Sequence, residues 1–282
     1  MPGCAGRDDV ARRPMPPDLL FWLSLALKMA VTAGFVIVAA MVAERAGPAI
    51  GALVATLPIA AGPAYFFLAL DHDAHFISQS AIGSIAAHGA TAVFSLAYVL
   101  LAQRFGIAVS VSGAVAVWFA VAYWLRGFEW TFLTVAAANL ALFAVCIPLT
   151  ARFRHVAMPP IARKWFDVPV RATMVACLVA AVVGLSGRVG PTVTGLLAVY
   201  PIVMTSLMLI FQSRVGGPAT AALIANTMWG LVGFSACLFT VHLATVPLGV
   251  AAGLSLSLAV SVGWNLTLWG LRGRAPFRAR PR

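Results

Sequence analysis

The sequence predicts an all-α, polytopic membrane helical bundle of about nine transmembrane helices, arranged as two four-helix inverted repeats joined by a linker helix. Three observations predict it. Of the 282 residues, 62% are hydrophobic and only 10% charged, whereas a soluble domain carries about 25% charged residues; the mean hydropathy is +0.96. Apolar stretches of the length a bilayer core needs, about 20 residues, recur along the chain between short polar breaks. One stretch also returns, without a gap, at a constant offset of 143 residues.

The first 18 residues form a polar tail, with Arg7-Asp8-Asp9 and Arg12-Arg13-Pro14-Met15-Pro16-Pro17, a composition too poor in apolar groups to pack; Met15 is an alternative start. The apolar run that follows, 19–43, is too long for the about 7–15-residue core of a secretory signal and is expected to be a first transmembrane helix. Further segments fall near 49–70, 77–102, 107–125, 130–150, 169–187, 191–212, 219–242 and 245–271. The breaks between them are short, such as Glu44-Arg45, Asp71-His72-Asp73 and Gln103-Arg104. Only 151–168 is long; it is basic and contains Pro159-Pro160. Trp22, Trp124, Trp130, Trp165 and Trp269 lie near segment ends, where an interfacial aromatic belt is expected.

The repeat is carried by Arg45-Ala46-Gly47-Pro48, Leu53, Ala55, Pro58 and Ile59, which return as Arg188-Val189-Gly190-Pro191, Leu196, Ala198, Pro201 and Ile202. Seven of fifteen aligned positions are identical. Upstream, Lys28 falls on Arg171 and Ala33 on Ala176. The register divides the chain into repeat 1 (19–128), a linker helix with its basic loop (129–168), repeat 2 (169–271) and a basic tail (272–282). A single linker helix turns the second copy over, so the two halves are expected to be antiparallel. Lys and Arg in loops and tails number five on the side of the N-terminus and twelve on the other, including the five arginines from Arg272 to Arg282. The positive-inside rule then places the N-terminus outside and the C-terminus in the cytoplasm, in an inner (plasma) membrane.

The net charge of +11 therefore reads as orientation in a bilayer, with the terminal arginines able to touch anionic headgroups, and no nucleic-acid partner is expected. The four cysteines are Cys4 in the tail and Cys146, Cys177 and Cys237 singly in apolar segments, which indicates neither a zinc site nor a disulfide framework. No HExxH, GxSxG or P-loop pattern occurs, and no carboxylate lies inside a span. The chain is expected to be no enzyme and to need no cofactor.

Three groups of residues are candidates for a site. Pro58 and Pro201 each remove a helical hydrogen bond and clash with the carbonyl four residues back, of Val54 and Leu197. In a bilayer such carbonyls must find partners or line a wet cavity. Broken helices of this kind, one from each repeat, form the central site of repeat transporters; ordinary proline kinks packed by small residues are the alternative. Thr56 and Tyr200 are the nearest polar side chains. The second group is intramembrane polarity: Lys28 in segment 1, His88 in segment 3 and Asn226 in segment 8, with Arg171 near the start of segment 6 and Asn139 and Asn265 inside spans. A buried cation is a functional candidate unless it snorkels, and the amides can serve simply as interhelical hydrogen bonds. Third, Asp71-His72-Asp73-Ala74-His75 has metal-ligand chemistry, but the second copy has Gln212-Ser213-Arg214-Val215-Gly216 there, and a solvated turn is expected.

Each four-helix half resembles the small GlpM-like integral membrane proteins, through Gly51 to Pro58 and through Gly195-Leu196-Leu197-Ala198-Val199-Tyr200-Pro201, each followed by an apolar run. The resemblance implies two fused copies but no activity, since that family has none established. The layout is also similar to fused drug/metabolite-type transporters, which have five helices per half. The sequence thus points to a small-molecule transporter or permease whose partners are the lipid bilayer and a small solute, with a non-transporting accessory or scaffold protein as the alternative. Topology reporters fused after Arg45 and after Arg188 are expected to report opposite sides of the membrane; the same side for both would contradict the inverted repeat.

Overall fold

The computed structural model describes residues 17–45, 58–156, 159 and 164–273. Every regular element among them is a helix: α1 (Pro17–Arg45), α2 (Ala61–Asp71), α3 (Ala74–Leu101), α4 (Ile107–Leu125), α5 (Phe132–Ala151), α6 (Asp167–Ala198), α7 (Ile202–Val215), α8 (Gly217–Leu248) and α9 (Val250–Gly273). Seven of these, all but α2 and α7, are long and apolar enough to cross a membrane. The chain is a multi-pass membrane protein. At 1.5 Å per residue α2 and α7 reach only about 17 and 21 Å, short of a hydrocarbon core about 30 Å thick. They are the second halves of the two proline-containing segments.

Segment boundaries depart from expectation where glycine sets them. The expected break at Gly187-Arg188 lies inside α6, which runs to Ala198 and turns at Gly190, where φ is 73°. That left-handed value favours glycine, and Pro191 then starts a second helical stretch, a place where its missing N–H costs nothing. Gly216 and Gly249, with φ of 82° and 86°, make the tight connections from α7 to α8 and from α8 to α9. Caps do similar work elsewhere. The carboxylate of Asp73 accepts the Phe76 N–H at 2.8 Å and starts α3, and Thr131 with Thr134 forms a reciprocal cap on α5.

α3 is the hub, buried over most of its length. Its sequence explains why. From Ser78 to Thr91 it is built almost entirely of Ser, Ala, Gly and Ile. In lipid, apolar burial offers no net drive for helix association, so small residues that admit a neighbouring backbone decide the packing. Gly83 lies against the backbone of Thr192, and Gly195 against that of Ser80; a Cβ on either would overlap the facing carbonyl. The N-terminal half of the second broken segment is thereby pressed onto the centre of α3. On its other side α3 crosses α8 in antiparallel sense. Ser78 meets His242 at 2.9 Å, His88 meets the carbonyl of Leu231 at 2.8 Å, and Tyr98 lies beside Thr220. Asn139 of α5 joins both helices, donating to the Ile85 carbonyl at 3.0 Å and accepting from Ser235 at 2.9 Å. That is the interhelical role expected of a membrane asparagine. α1 packs along α6, with Leu25 against Gly184.

Gly83→Ala and Gly195→Ala are each expected to lower stability by about 1–3 kcal/mol, the range for overpacking a closed interface. Gly263→Ala in α9, where nothing lies within 4 Å of the added methyl, is expected to be neutral or mildly stabilising. Equilibrium unfolding in detergent micelles measures all three, and equal effects would contradict the close crossing.

Candidate functional site

The proline segments are broken outright. Pro201 is not inside a kinked helix: α6 ends at Ala198, residues 199–201 are non-helical, and Pro201 caps the start of α7 with ψ of 53°. In the first copy residues 58–60 precede α2 in the same way. The carbonyls next to the second break are mostly retired within the protein. Leu197 O accepts the Tyr200 N–H at 3.1 Å, and Pro201 O accepts the N–H of Thr205 at 2.8 Å. Gly195 O accepts from Ser84 at 2.8 Å. The expectation that the carbonyl freed by Pro201 faces a cavity is therefore corrected: the Leu197 carbonyl is closed by its own turn. Val54 and Thr56 lie outside the described residues.

The two breaks come together. Pro58 to Ala61 from one copy and Ala198 to Pro201 from the other line a single cavity of about 150 Å³. The N-terminal ends of α2 and α7 both open on it, so two positive helix-dipole ends meet there. His88 of α3, buried to 1% exposure, lies in the wall. Its Nε2 donates to Leu231 O, which leaves Nδ1 as an acceptor in the neutral ring. Phe143 and Phe234 flank the imidazole at centroid distances of 5.3 and 4.9 Å. Thr91, one turn further along α3, accepts from the Trp118 indole at 3.2 Å. Trp118 and Phe119 of α4 hold the Tyr200 ring between them, edge-on at 4.9 Å and stacked at 5.6 Å. A hydrogen-bonded chain runs past the break: Tyr65 of α2 bonds Ser84 at 2.6 Å, and Ser84 donates to Gly195 O.

A second, larger cavity of about 590 Å³ adjoins the first and shares Pro58, Ile59, Ala61 and Phe234 with it. It lies between α1, α2, α8 and α9, and its walls are almost wholly apolar.

Of the residues singled out from sequence, Pro58, Pro201, Tyr200 and His88 meet at the central cavity. Lys28 does not. It pairs with Asp71 at 2.5 Å, at the C-terminal end of α2, with the ammonium also 6.0 Å from the Phe67 ring. The reading of 71–75 as a solvated turn is corrected for three residues: Asp71 binds Lys28, His72 bonds Ser186 of α6 at 2.8 Å, and Asp73 caps α3. Asn226 lies away from the cavity and donates to the carbonyls of Ala222 and Arg154 at 2.9 and 3.3 Å, tying α8 to the segment after α5. A second ion pair has no precedent in the sequence reading. Arg214, at the end of α7, binds Asp167 through both nitrogens at 2.5 and 2.8 Å, and this hydrogen-bonded carboxylate raises the guanidinium pKa further above its ordinary value. The wall residues Thr227, Leu231 and Phe234 were not singled out, although the repeat register marks them: they stand 143 residues after Ser84, His88 and Thr91.

In comparisons with protein-family models, curated proteins and solved structures, nothing matches the chain.

The two ion pairs differ in burial, and that sets their worth. Asp71 is 39% exposed, so Asp71→Ala is expected to cost about 1 kcal/mol or less. Asp167 and Arg214 are only 10% and 15% exposed and bonded twice, so Asp167→Ala strands a shielded guanidinium and is expected to be the more damaging change. Unfolding of the two variants in micelles tests the order; a larger loss for Asp71→Ala would contradict it.

Proposed function

We propose that the chain is a small-molecule transporter or permease of the inner (plasma) membrane, with its C-terminus in the cytoplasm, built on an inverted repeat. The observation that carries this reading is the single cavity walled by both breaks, Pro58 to Ala61 and Ala198 to Pro201. Proline-broken helices from two repeats, meeting at half depth with their N-terminal ends toward a cavity, are the arrangement that alternating-access transporters use for their substrate. Contacts between α3 and α8 support the inversion. A residue on a two-fold axis must meet its own equivalent, and His88 meets Leu231, 143 residues on. Off the axis, contacts must come in exchanged pairs. Ser78 meets His242 and Tyr98 lies beside Thr220; the equivalents of Ser78 and Tyr98 are Ala221 and Val241, each one residue from the observed partner. The GlpM-like resemblance is in keeping with two fused copies.

The solute faces hydroxyls and one imidazole, from Thr91, Thr227, Tyr200 and His88. No catalytic chemistry and no cofactor enters this proposal. A specific observation favours the accessory or scaffold reading: about 150 Å³ is below the roughly 300–1,000 Å³ of ordinary ligand pockets. The two readings part in a thermal-shift screen of small solutes on the reconstituted protein. Transport predicts a stabilising solute whose effect is lost in both Pro58→Ala and Pro201→Ala, with expression and basal melting retained. Stabilisation that survives both substitutions, or no stabilising solute at all, favours the scaffold.

A further inference from the structure

Asp71 and Arg214 are equivalent residues, 143 positions apart, and each ends a half-helix in an ion pair. Asp71 closes α2 onto Lys28 of α1; Arg214 closes α7 onto Asp167 of α6. The partners also correspond. Lys28 falls on Arg171, and Asp167 precedes Arg171 by one helical turn. The clamp between the first helix of a repeat and the far end of its half-helix is thus kept in place with its polarity reversed.

The two clamps lie at opposite ends of the bundle. Beside Asp71, His72 bonds Ser186 of α6, whereas Asp167 begins that helix. Nineteen residues of uninterrupted helix separate Asp167 from Ser186, about 28 Å at 1.5 Å per residue, which matches the hydrocarbon thickness of a bilayer. Each clamp is doubled by a nearby hydrogen bond, His72 to Ser186 at 2.8 Å at one end and Tyr98 to Gln212 at 2.9 Å at the other. Each half-helix therefore has its N-terminal end in the cavity wall and its C-terminal end fastened at one face.

We propose that the Lys28–Asp71 and Asp167–Arg214 pairs are the two gates of the central cavity, each holding one half-helix shut against its own membrane face. The proposal rests on the transport reading and adds how the cavity is opened. Two rigid half-helices hinged at their breaks, residues 58–60 and 199–201, supply the moving parts. A charge pair near the headgroup layer is a suitable latch, because water and counter-ions compete for both partners once it parts.

The test uses the full chain with its four cysteines replaced and a single reporter thiol introduced by Thr227→Cys, in the cavity wall on α8. In proteoliposomes of defined orientation, a membrane-impermeant methanethiosulfonate is applied to one face or the other. Lys28→Ala is expected to raise labelling about tenfold from the face where α2 ends and not from the other, the shift produced when one closed-state interaction is removed. Arg214→Ala is expected to do the converse. The reciprocal exchange Lys28→Asp with Asp71→Lys is expected to restore the parent rate, which a folding defect would not allow; Asp71→Asn and Asp167→Asn serve where an alanine variant does not fold. Labelling of the reporter thiol that is insensitive to both pairs, or raised equally from both faces, overturns the gates and leaves the transport reading standing. A reporter thiol sealed from both faces in every folded variant overturns both.

Discussion

The structure depends on how closely backbones approach the middle of α3. Inside a bilayer, apolar side chains gain little by leaving lipid for protein, so helices are held by contact density and by hydrogen bonds. α3 meets this constraint with Gly83 and a run of Ser and Ala, which let the stretch before Val199 lie directly on it. The same composition lets α8 cross on the other side at His88. Both helices that carry or oppose the second break are thus positioned by a helix with almost no side-chain bulk of its own. Larger residues there would push the breaks apart and open the centre of the bundle.

Polar groups at that centre are few and mostly spoken for. Asn139 spans α5, α3 and α8, Ser84 links Tyr65 to the Gly195 carbonyl, and the Leu231 carbonyl accepts from His88. Because an unmade hydrogen bond in hydrocarbon costs several kcal/mol, a broken helix is tolerable only where its loose ends are closed this way or meet water. At the second break, local turns and Ser84 close three carbonyls. The N-terminal ends of α2 and α7 are left directed at the cavity, which makes this the place where an exchangeable solute would be received.

Much of this was legible in the chain. Hydropathy alone separates seven unbroken spans, and the constant offset identifies the two proline segments that come together. The repeat register even marks Leu231 and Phe234 as counterparts of His88 and Thr91. What could not be read was pairing between distant positions that share no pattern. Asp71 and Lys28 are 43 residues apart, and nothing in a short acidic loop says that one carboxylate reaches back to an earlier helix. Asp167 and Arg214 look like ordinary helix-end charges until α6 and α7 are laid side by side. Asn226 resembled a buried polar residue because it lies inside an apolar run, but its side chain turns to the backbone of Arg154. The true boundary at Gly190 instead of Arg188 reflects backbone geometry, since φ of 73° is available to glycine and charge is a poorer marker of where a helix turns.

The central claim is that α3 and α8, equivalent in the proposed repeat, cross antiparallel about His88 and Leu231. Paired-cysteine cross-linking in a cysteine-free background tests it most directly. The account predicts that Ser78→Cys with His242→Cys, and Tyr98→Cys with Thr220→Cys, each cross-link efficiently through a short bifunctional thiol reagent. Ser78→Cys with Thr220→Cys should not, because Ser78 and Tyr98 lie about 30 Å apart along α3. Efficient cross-linking of that last pair, with failure of the first two, would contradict it.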